Sequence, residues 1–185
     1  MQRLIMKISW SEFRSLKKSF VYAIRGVLYC VGNERNMRVH IAVAANVLLF
    51  STICELSRIE YGLLFFTIGL VLVCEMINTS IETLVNLGSP TYHTLARIAK
   101  DVSAGAVLVA AFVSVVVGLC IFLQTERIFL AFSKIFSSPL LIVLFFASIF
   151  GGLVFVFKGF KIKLPKKSEK IGKVKIYKPE KKNNI

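Results

Sequence analysis

Charged residues are scarce in this chain of 185 residues: they make up 18%, against about a quarter in soluble domains. Hydrophobic residues reach 56%, and the mean hydropathy is +0.71. A chain of this length cannot remove so much apolar surface from water by folding on itself. The composition excludes a soluble globule and general disorder, and it indicates an integral membrane protein.

Familiar metal and nucleotide motifs are also missing. The four cysteines (Cys30, Cys54, Cys74 and Cys120) have neither CxxC nor any other metal-ligand spacing, so we interpret them as small buried hydrophobic side chains. Neither a P-loop, GxxxxGK[ST], nor a protein-kinase signature is present. A soluble kinase fold is therefore excluded.

Acidic residues are few: there are 10 Asp and Glu against 24 Lys and Arg, which leaves a net charge of +14. In a soluble protein this excess would indicate nucleic acid. Here the basic residues lie outside the apolar runs, mainly in residues 1–38 and 158–185. Because basic segments stay on the cytoplasmic side of a membrane, we expect two cytoplasmic termini and no nucleic-acid partner.

Four apolar runs are each long enough to cross the bilayer, which takes about 17–25 helical residues. An even number of crossings returns both basic ends to the same side. A basic amphipathic helix at residues 11–31, before the first run, is suited to lying on the membrane surface. The predicted fold is an all-α integral membrane bundle with this surface helix, spans at about 39–57, 59–85, 102–123 and 139–157, an inner loop at 86–101 and an outer loop at 124–138.

The second apolar run carries polar side chains on one face. At about 100° per residue, Glu75, Asn78, Thr79, Glu82 and Asn86 fall within an arc of roughly 100°. Acidic residues are costly in a spanning helix, so two of them indicate a function. A polar clamp, with Asn and a protonated Glu bonding across the bundle, is the structural alternative, and an ion or proton pathway is a third interpretation.

Two further clusters lie at the cytoplasmic end of the predicted bundle. Glu34 and Arg38 precede the first span, where they could simply form an i,i+4 ion pair. Lys100 and Asp101 open the predicted third helix, whose N-terminal N–H groups would attract phosphate, although Asp is also an ordinary residue there. This end of the bundle thus combines a lysine, a helix N-terminus and carboxylates that can hold Mg²⁺. Such a set of groups is suited to binding a nucleoside triphosphate.

Together these motifs resemble the prokaryotic diacylglycerol kinase and undecaprenol kinase family, over about residues 15–123. The resemblance rests on Glu34-x-Asn36-x-Arg38-x-His40, then Glu75-x-x-Asn78-Thr79-x-Ile81-Glu82, then Ala99-Lys100-Asp101-x-x-Ala104-Gly105-Ala106-Val107-Leu108. It implies a small trimeric membrane kinase of three spanning helices and a surface helix. Such a kinase transfers the γ-phosphoryl group of MgATP to a lipid alcohol at the cytosolic interface.

The resemblance also implies roles for individual residues. Glu75 would be the base or positioning group for the lipid hydroxyl, and Asn78 would orient the reacting groups. Glu34 and Glu82 would hold Mg²⁺ and the ATP phosphates. The other residues with an implied nucleotide contact are Tyr22, Tyr92, His93, Lys100 and Asp101.

Two features depart from the family pattern. Asn86 stands where the family usually has Asp, so a catalytically impaired relative with a binding or scaffold role is the second hypothesis. The chain also continues beyond the usual family end. We therefore expect a kinase domain (1–123), an outer loop with an extra span (124–157) and a basic cytoplasmic tail (158–185).

The lipid substrate is the least defined part of the prediction. The element from Glu34 to His40 resembles the undecaprenol branch more than the diacylglycerol branch. Only the hydroxyl reacts, however, and the site for the lipid tail is merely apolar, so both lipids stay open. We expect a homo-oligomer in the cell inner membrane.

Overall fold

The computed structural model describes residues 10–88 and 94–159, and within these stretches every regular element is an α-helix. The helices are α1 (Trp10–Asn33), α2 (Arg35–Ile53), α3 (Arg58–Gly88), α4 (Thr94–Phe122), α5 (Thr125–Ser137) and α6 (Pro139–Lys158). Four of them, α2, α3, α4 and α6, are long and apolar enough to cross a membrane. The prediction of an all-α, multi-pass membrane bundle is confirmed, while most of the predicted tail lies outside the described residues.

The spans extend beyond the segments that hydropathy marks. α4 begins at Thr94 rather than at residue 102, and its 29 residues make a helix about 43 Å long, against a hydrocarbon core of about 30 Å. Its first turns are polar, and Arg97 and Asp101 form an i,i+4 ion pair there (3.8 Å). α3 also continues to Gly88, so residues 86–88 and 94–101 of the predicted inner loop are helical, while residues 89–93 lie outside the described residues.

α1 and α2 are almost continuous, and Glu34 is the one non-helical residue between them. Its backbone is extended (φ −95°, ψ 122°), although its N–H still donates to Cys30 O at 2.9 Å. Along α1 the apolar side chains of Leu16, Phe20 and Ile24 are exposed. This exposure agrees with a helix whose apolar face lies on lipid.

A short turn joins α2 to α3. Glu55 lies in it with a positive φ of 53°, a conformation that favours glycine. Ser57 and Glu60 then form a capping box: Glu60 Oε2 accepts from the Ser57 N–H (2.8 Å), and Ser57 Oγ accepts from the Glu60 N–H (3.3 Å). The box fixes where α3 begins, and hence how deep its polar stripe lies in the bundle.

The segment predicted as the outer loop, residues 124–138, is mostly helical in the structure, where it forms α5. Ala131 and Ile135, one turn apart, are each only 2% exposed, so one face of α5 is buried against the bundle. α5 is short and has charged residues in its first and last turns, so hydropathy alone does not mark it in the sequence. Ala131 packs into a cluster with Cys54, Leu56, Leu64 and Ile121.

Two ion pairs hold α5 to the corner between α2 and α3. Arg127 Nη1 lies 2.6 Å from Glu60 Oε1, and these side chains are only 20% and 19% exposed. Lys134 Nζ lies 2.5 Å from Glu55 Oε1, and this pair is exposed. The Lys134 ammonium, by its hydrogen bond and its charge, lowers the pKa of the Glu55 carboxyl.

The extra span, α6, packs on α2, which also contacts α3. Ser148 Oγ donates to Asn46 Oδ1 across the α2–α6 interface (2.9 Å). A Cβ at Gly152 would lie 3.3 Å from Asn46 Nδ2 and 3.5 Å from Ala42 Cβ, so the small residues allow a close approach. α2 therefore connects the added helix to the rest of the bundle.

The prediction that the four cysteines are buried is confirmed for two of them. Cys30 and Cys54 are buried, Cys74 is half-buried and Cys120 is exposed on α4. A spanning helix exposes apolar side chains to lipid rather than to water, so an exposed position on α4 is still apolar in a membrane.

Candidate active site

The polar stripe of α3 is buried at its centre. Glu75, Asn78 and Thr79 are 2%, 6% and 4% exposed, whereas Glu82 is half-buried and Asn86 is exposed. Seven residues separate Glu75 from Glu82, which is about 10 Å along the helix axis. A carboxyl group as buried as that of Glu75 is rare in proteins and marks a functional position by default.

Glu34 reaches the same site from the break between α1 and α2. The carboxylates of Glu34 and Glu82 both interact electrostatically with Glu75. Three carboxylates from two separate segments, one at the α1–α2 break and two on α3, therefore interact with one another through Glu75. The arrangement concentrates negative charge, which favours a cation as a ligand.

Cys30, in the last turns of α1, lies against this site. Burial raises the pKa of the Cys30 thiol, and the nearby carboxylates of Glu34 and Glu75 raise it further. The Thr79 hydroxyl interacts with this thiol and is buried without a hydrogen-bond partner of normal geometry. Cys30 is thus kept neutral beside the acidic groups.

α4 closes the site from the other side. Ser103 Oγ donates to Asn78 Oδ1 (2.7 Å), and the carbonyl oxygen of Lys100 is a second acceptor at 2.9 Å. Asn78 therefore makes the hydrogen bond across the bundle that the polar-clamp alternative assigned to it. Lys100, half-buried one turn before Ser103, lies on the side of α4 that faces the stripe.

Lys100 and Asp101 do not form a phosphate site at a helix N-terminus, and that prediction is wrong. Because α4 begins at Thr94, the N–H groups of both residues lie inside the helix, beyond the first four free donors. Asp101 is exposed and pairs with Arg97. Any interaction with phosphate at this position has to come from the Lys100 side chain.

Three predicted nucleotide contacts lie on other segments. Tyr22 is 62% exposed, with the Arg25 guanidinium 6.0 Å from its ring centre. It precedes Glu34 by about 18 Å along the axis of α1. Tyr92 and His93 lie outside the described residues.

The simple alternative for Glu34 and Arg38, an i,i+4 ion pair, is wrong. The Arg38 guanidinium donates to backbone carbonyls instead: Nε to Val156 O (3.2 Å), and Nη1 to Gly32 O (3.0 Å) and Val31 O (3.4 Å). Glu34 therefore keeps its charge available to the site.

An apolar groove of about 370 Å³ lies between α2, α3 and α4. One of its ends is formed by His40, Val71 and Leu72, and the last two precede Glu75 by one turn of α3. Phe122 lines the other end. Aliphatic side chains make up most of the wall, so the groove suits a hydrocarbon chain.

The carboxylates suit Mg²⁺ by their chemistry. Mg²⁺ takes oxygen ligands and is commonly held by one or two protein carboxylates together with substrate phosphates. Glu34 and Glu82 are two such carboxylates, and each interacts with Glu75. In the described residues no group of three or more His, Cys, Asp or Glu side chains is placed to hold a metal ion, so an ion held by two carboxylates would need phosphate oxygens to complete its coordination.

Sequence reasoning missed the contributions of Ser103 and Cys30. Ser103 follows Lys100 by three residues, and this helical spacing could have placed it on the same face. Cys30 precedes Glu34 by four residues, which is the same kind of signal. No local signal marks the contact of Arg38 with Val156, because 118 residues separate them.

Interacting carboxylates on and next to helices long enough to cross a membrane, one turn from an apolar groove, are typical of membrane enzymes that handle a charged group next to lipid. Comparison with known proteins identifies a family. Residues 21–122, from α1 to the end of α4, match the family described as prokaryotic diacylglycerol kinase. No solved structure matches the chain at a significant level.

Three relatives illustrate the match. An undecaprenol kinase of Bacillus subtilis is 43% identical over 113 residues, which cover 61% of this chain and 92% of that protein. A diacylglycerol kinase of Synechocystis is 39% identical over 120 residues, covering 64% of this chain and 69% of that protein. A diacylglycerol kinase of Escherichia coli is 29% identical over 104 residues, covering 56% and 85% respectively.

The chain belongs to the prokaryotic diacylglycerol kinase family. It is an enzyme of the lipid kinase class, and the assignment made from its three motifs is confirmed. α5 and α6 lie beyond the matched residues.

Proposed function

We propose that this enzyme uses ATP and Mg²⁺ to phosphorylate the hydroxyl group of a membrane lipid at the cytosolic interface. The observation that carries the proposal is the convergence of Glu34, Glu75 and Glu82 beside one end of an apolar groove. Carboxylates this close at membrane depth need a cationic ligand to offset their repulsion. A magnesium-bound triphosphate provides the cation, and the groove provides room for the lipid.

Glu75 and Asn78 act at the lipid hydroxyl in this proposal. Glu75 accepts the hydroxyl proton while the lipid oxygen bonds to the γ-phosphorus, and the bond from that phosphorus to the β–γ bridging oxygen breaks, leaving ADP. The buried position of Glu75, one turn from the groove, supports this role. Phosphoryl transfer depends mostly on positioning and charge neutralisation, for which rigid, buried groups are suited.

Glu34 and Glu82 hold the magnesium ion and the phosphates in this proposal. When bound, Mg²⁺ offsets the negative charge of the phosphates and so makes the γ-phosphorus open to attack. Glu82 is less buried than Glu75 and lies closer to the end of α3, which supports entry of nucleotide from that end. The further proposed nucleotide contacts are Tyr22, Tyr92, His93, Lys100 and Asp101.

Undecaprenol is the first lipid to test, and diacylglycerol is the second. The relative that is 43% identical is named an undecaprenol kinase, and the element from Glu34 to His40 supports the same branch. The apolar lining of the groove favours neither lipid over the other.

The proposal extends to topology and assembly. Four spans place both basic ends on one side, so we place both termini in the cytoplasm and the protein in the cell inner membrane. We assign residues 1–123 to the kinase domain, 124–157 to an addition with its own span and 158–185 to a basic tail. The family resemblance supports a homotrimer, which cross-linking in native membranes would test.

The decisive experiment is a lipid panel. The purified full-length protein in lipid nanodiscs is incubated with labelled ATP, Mg²⁺ and undecaprenol, diacylglycerol or other lipid alcohols. Labelled lipid phosphate should appear with at least one lipid, and EDTA should abolish it. No product above background with any lipid would contradict the proposal.

The alternative is an impaired relative that binds but does not catalyse, and the observation that favours it is the amide at Asn86. The variant Asn86→Asp restores the usual family carboxylate one turn beyond Glu82. If the native enzyme is inactive and Asn86→Asp gains turnover, the alternative is correct. If both have similar turnover, the lead proposal stands.

A further inference from the structure

Arg38 caps two helices at once. The last carbonyl groups of an α-helix have no partner within the helix and carry partial negative charge. Arg38 Nη1 donates to Gly32 O and Val31 O in the last turn of α1, and Nε donates to Val156 O in the last turn of α6. The side chain is only 9% exposed, so its positive charge is held between two negative helix ends.

Glu34 lies in the backbone between the end of α1, which Arg38 caps, and Arg38 itself in the first turn of α2. The Glu34 side chain forms no capping hydrogen bond to α2, so the surrounding backbone sets its position. That backbone is bound at both ends, since the Glu34 N–H donates to Cys30 O and its carbonyl accepts from the Arg38 N–H at 3.4 Å. Arg38 connects the end of α1 to the first turn of α2, and Glu34 is the residue between them.

The last turn of α6 completes this corner, and it lies outside the residues that match the family. The Arg35 guanidinium lies 5.2 Å from the ring centre of Phe157. Next to it, Gly159 has a φ of 38° and lies close to Arg38, where an added Cβ would be 2.8 Å from the guanidinium carbon. Only a residue without a side chain leaves Arg38 in place there.

We propose that Arg38 is a positioning residue for Glu34, and that the last turn of α6 holds Arg38 in position. The inference rests on the role proposed above for Glu34 in binding MgATP. The added helix is then part of the kinase site: without its carbonyl and the space at Gly159, the guanidinium loses one of its two anchors. α6 therefore acts on the site indirectly: it holds Arg38 in position, and Arg38 positions the backbone on either side of Glu34.

The test uses the full-length enzyme in nanodiscs and three variants. Gly159→Ala adds a methyl group where the guanidinium lies and also strains the backbone at a φ of 38°, whereas Gly151→Ala adds one inside α6 in open space and is the control for the methyl group alone. Arg38→Lys keeps the charge but cannot bind both helix ends with one ammonium group. The KM for MgATP, kcat, the dissociation constant of MgATP and the thermal unfolding midpoint are measured for each.

Gly159→Ala and Arg38→Lys should each raise the KM and the dissociation constant for MgATP about tenfold, with kcat changed less than about twofold. Gly151→Ala should match the native enzyme. A purely structural role would instead lower the amount of folded enzyme and leave the KM unchanged, and that result would overturn the inference. A loss confined to kcat would overturn it as well.

Two outcomes separate this inference from the proposed function. If the native enzyme phosphorylates no lipid, the proposed function fails, and the dissociation constants of MgATP still decide the inference. If Gly159→Ala does not fold, Arg38→Lys decides by the same criterion, since it introduces no clash. Equal dissociation constants in the native enzyme and the folded variants overturn the inference.

Discussion

The hydroxyl of Ser103 on α4 donates a 2.7 Å hydrogen bond to Oδ1 of Asn78 on α3. Asn78 follows Glu75 by one helical turn, and Ser103 follows Lys100 by one turn. A single buried contact therefore connects the helix that carries the acidic stripe to the helix that carries the lysine. It also makes Oδ1 the acceptor, so the Asn78 amide has one preferred orientation.

The variant Ser103→Ala should destabilise the enzyme by about 0.5–2 kcal/mol, because it leaves Asn78 Oδ1 buried without its donor. The loss is measured from reversible unfolding in mixed micelles. Ser80→Ala is the control, since Ser80 is exposed and bonds only to Met76 of its own helix. Equal stability of the two variants would show that the contact across the helices contributes nothing.

The variant Glu75→Gln should reduce turnover about 10²–10⁴-fold, because the amide cannot accept the proton of the lipid hydroxyl. Binding of MgATP should stay within about twofold of the native value, because Glu34 and Glu82 are unchanged. Turnover and equilibrium binding are measured on the same preparation. Glu126→Gln, at an exposed acidic position of α5, should have native turnover. Full activity of Glu75→Gln would contradict its assignment as base.

The variant Arg127→Gln should loosen α5 from the bundle. Arg127 pairs with Glu60 in a mostly buried contact and also donates to Ile121 O (3.0 Å), so its removal should cost about 1–3 kcal/mol. Hydrogen exchange should become faster in α5 while the centre of α3 stays protected. The exposed Lys134→Gln should have a smaller effect. Unchanged exchange in α5 would show that the ion pair does not hold this helix.

The pair of Glu55 and Lys134 predicts a weak pH dependence at the same end of the bundle. The pKa of Glu55 is lowered from its ordinary value of 4.5, so the pair stabilises the fold above that value and loses its contribution as pH falls through the lowered pKa. NMR titration of the Glu55 carboxyl carbon should show the pKa moving up toward 4.5 in Lys134→Gln. High salt should reduce the difference, because the pair is exposed to solvent. An identical titration curve in both proteins would contradict the contact.

The part of the acidic site that lies on α3 could be predicted from the sequence. The spacing of Glu75, Asn78 and Glu82 places them on one face of any helix, whatever surrounds it. The predicted topology placed Glu34 at the same end of the bundle, the family resemblance gave it a role, and in the structure its carboxylate interacts with Glu75. The start of α4 was predicted too late, because hydropathy ends where the bilayer ends while the helix continues into polar turns at Thr94.

The sequence by itself determined the membrane class, the four spans and the acidic stripe, because hydropathy, helical periodicity and charge are properties of neighbouring residues. Only the tertiary structure decided that α5 is a helix docked on the bundle, that Ser103 bonds to Asn78, and that Arg38 connects the ends of α1 and α6. These contacts join segments far apart in the chain. Their existence depends on how the helices pack, and no local pattern of residues encodes that.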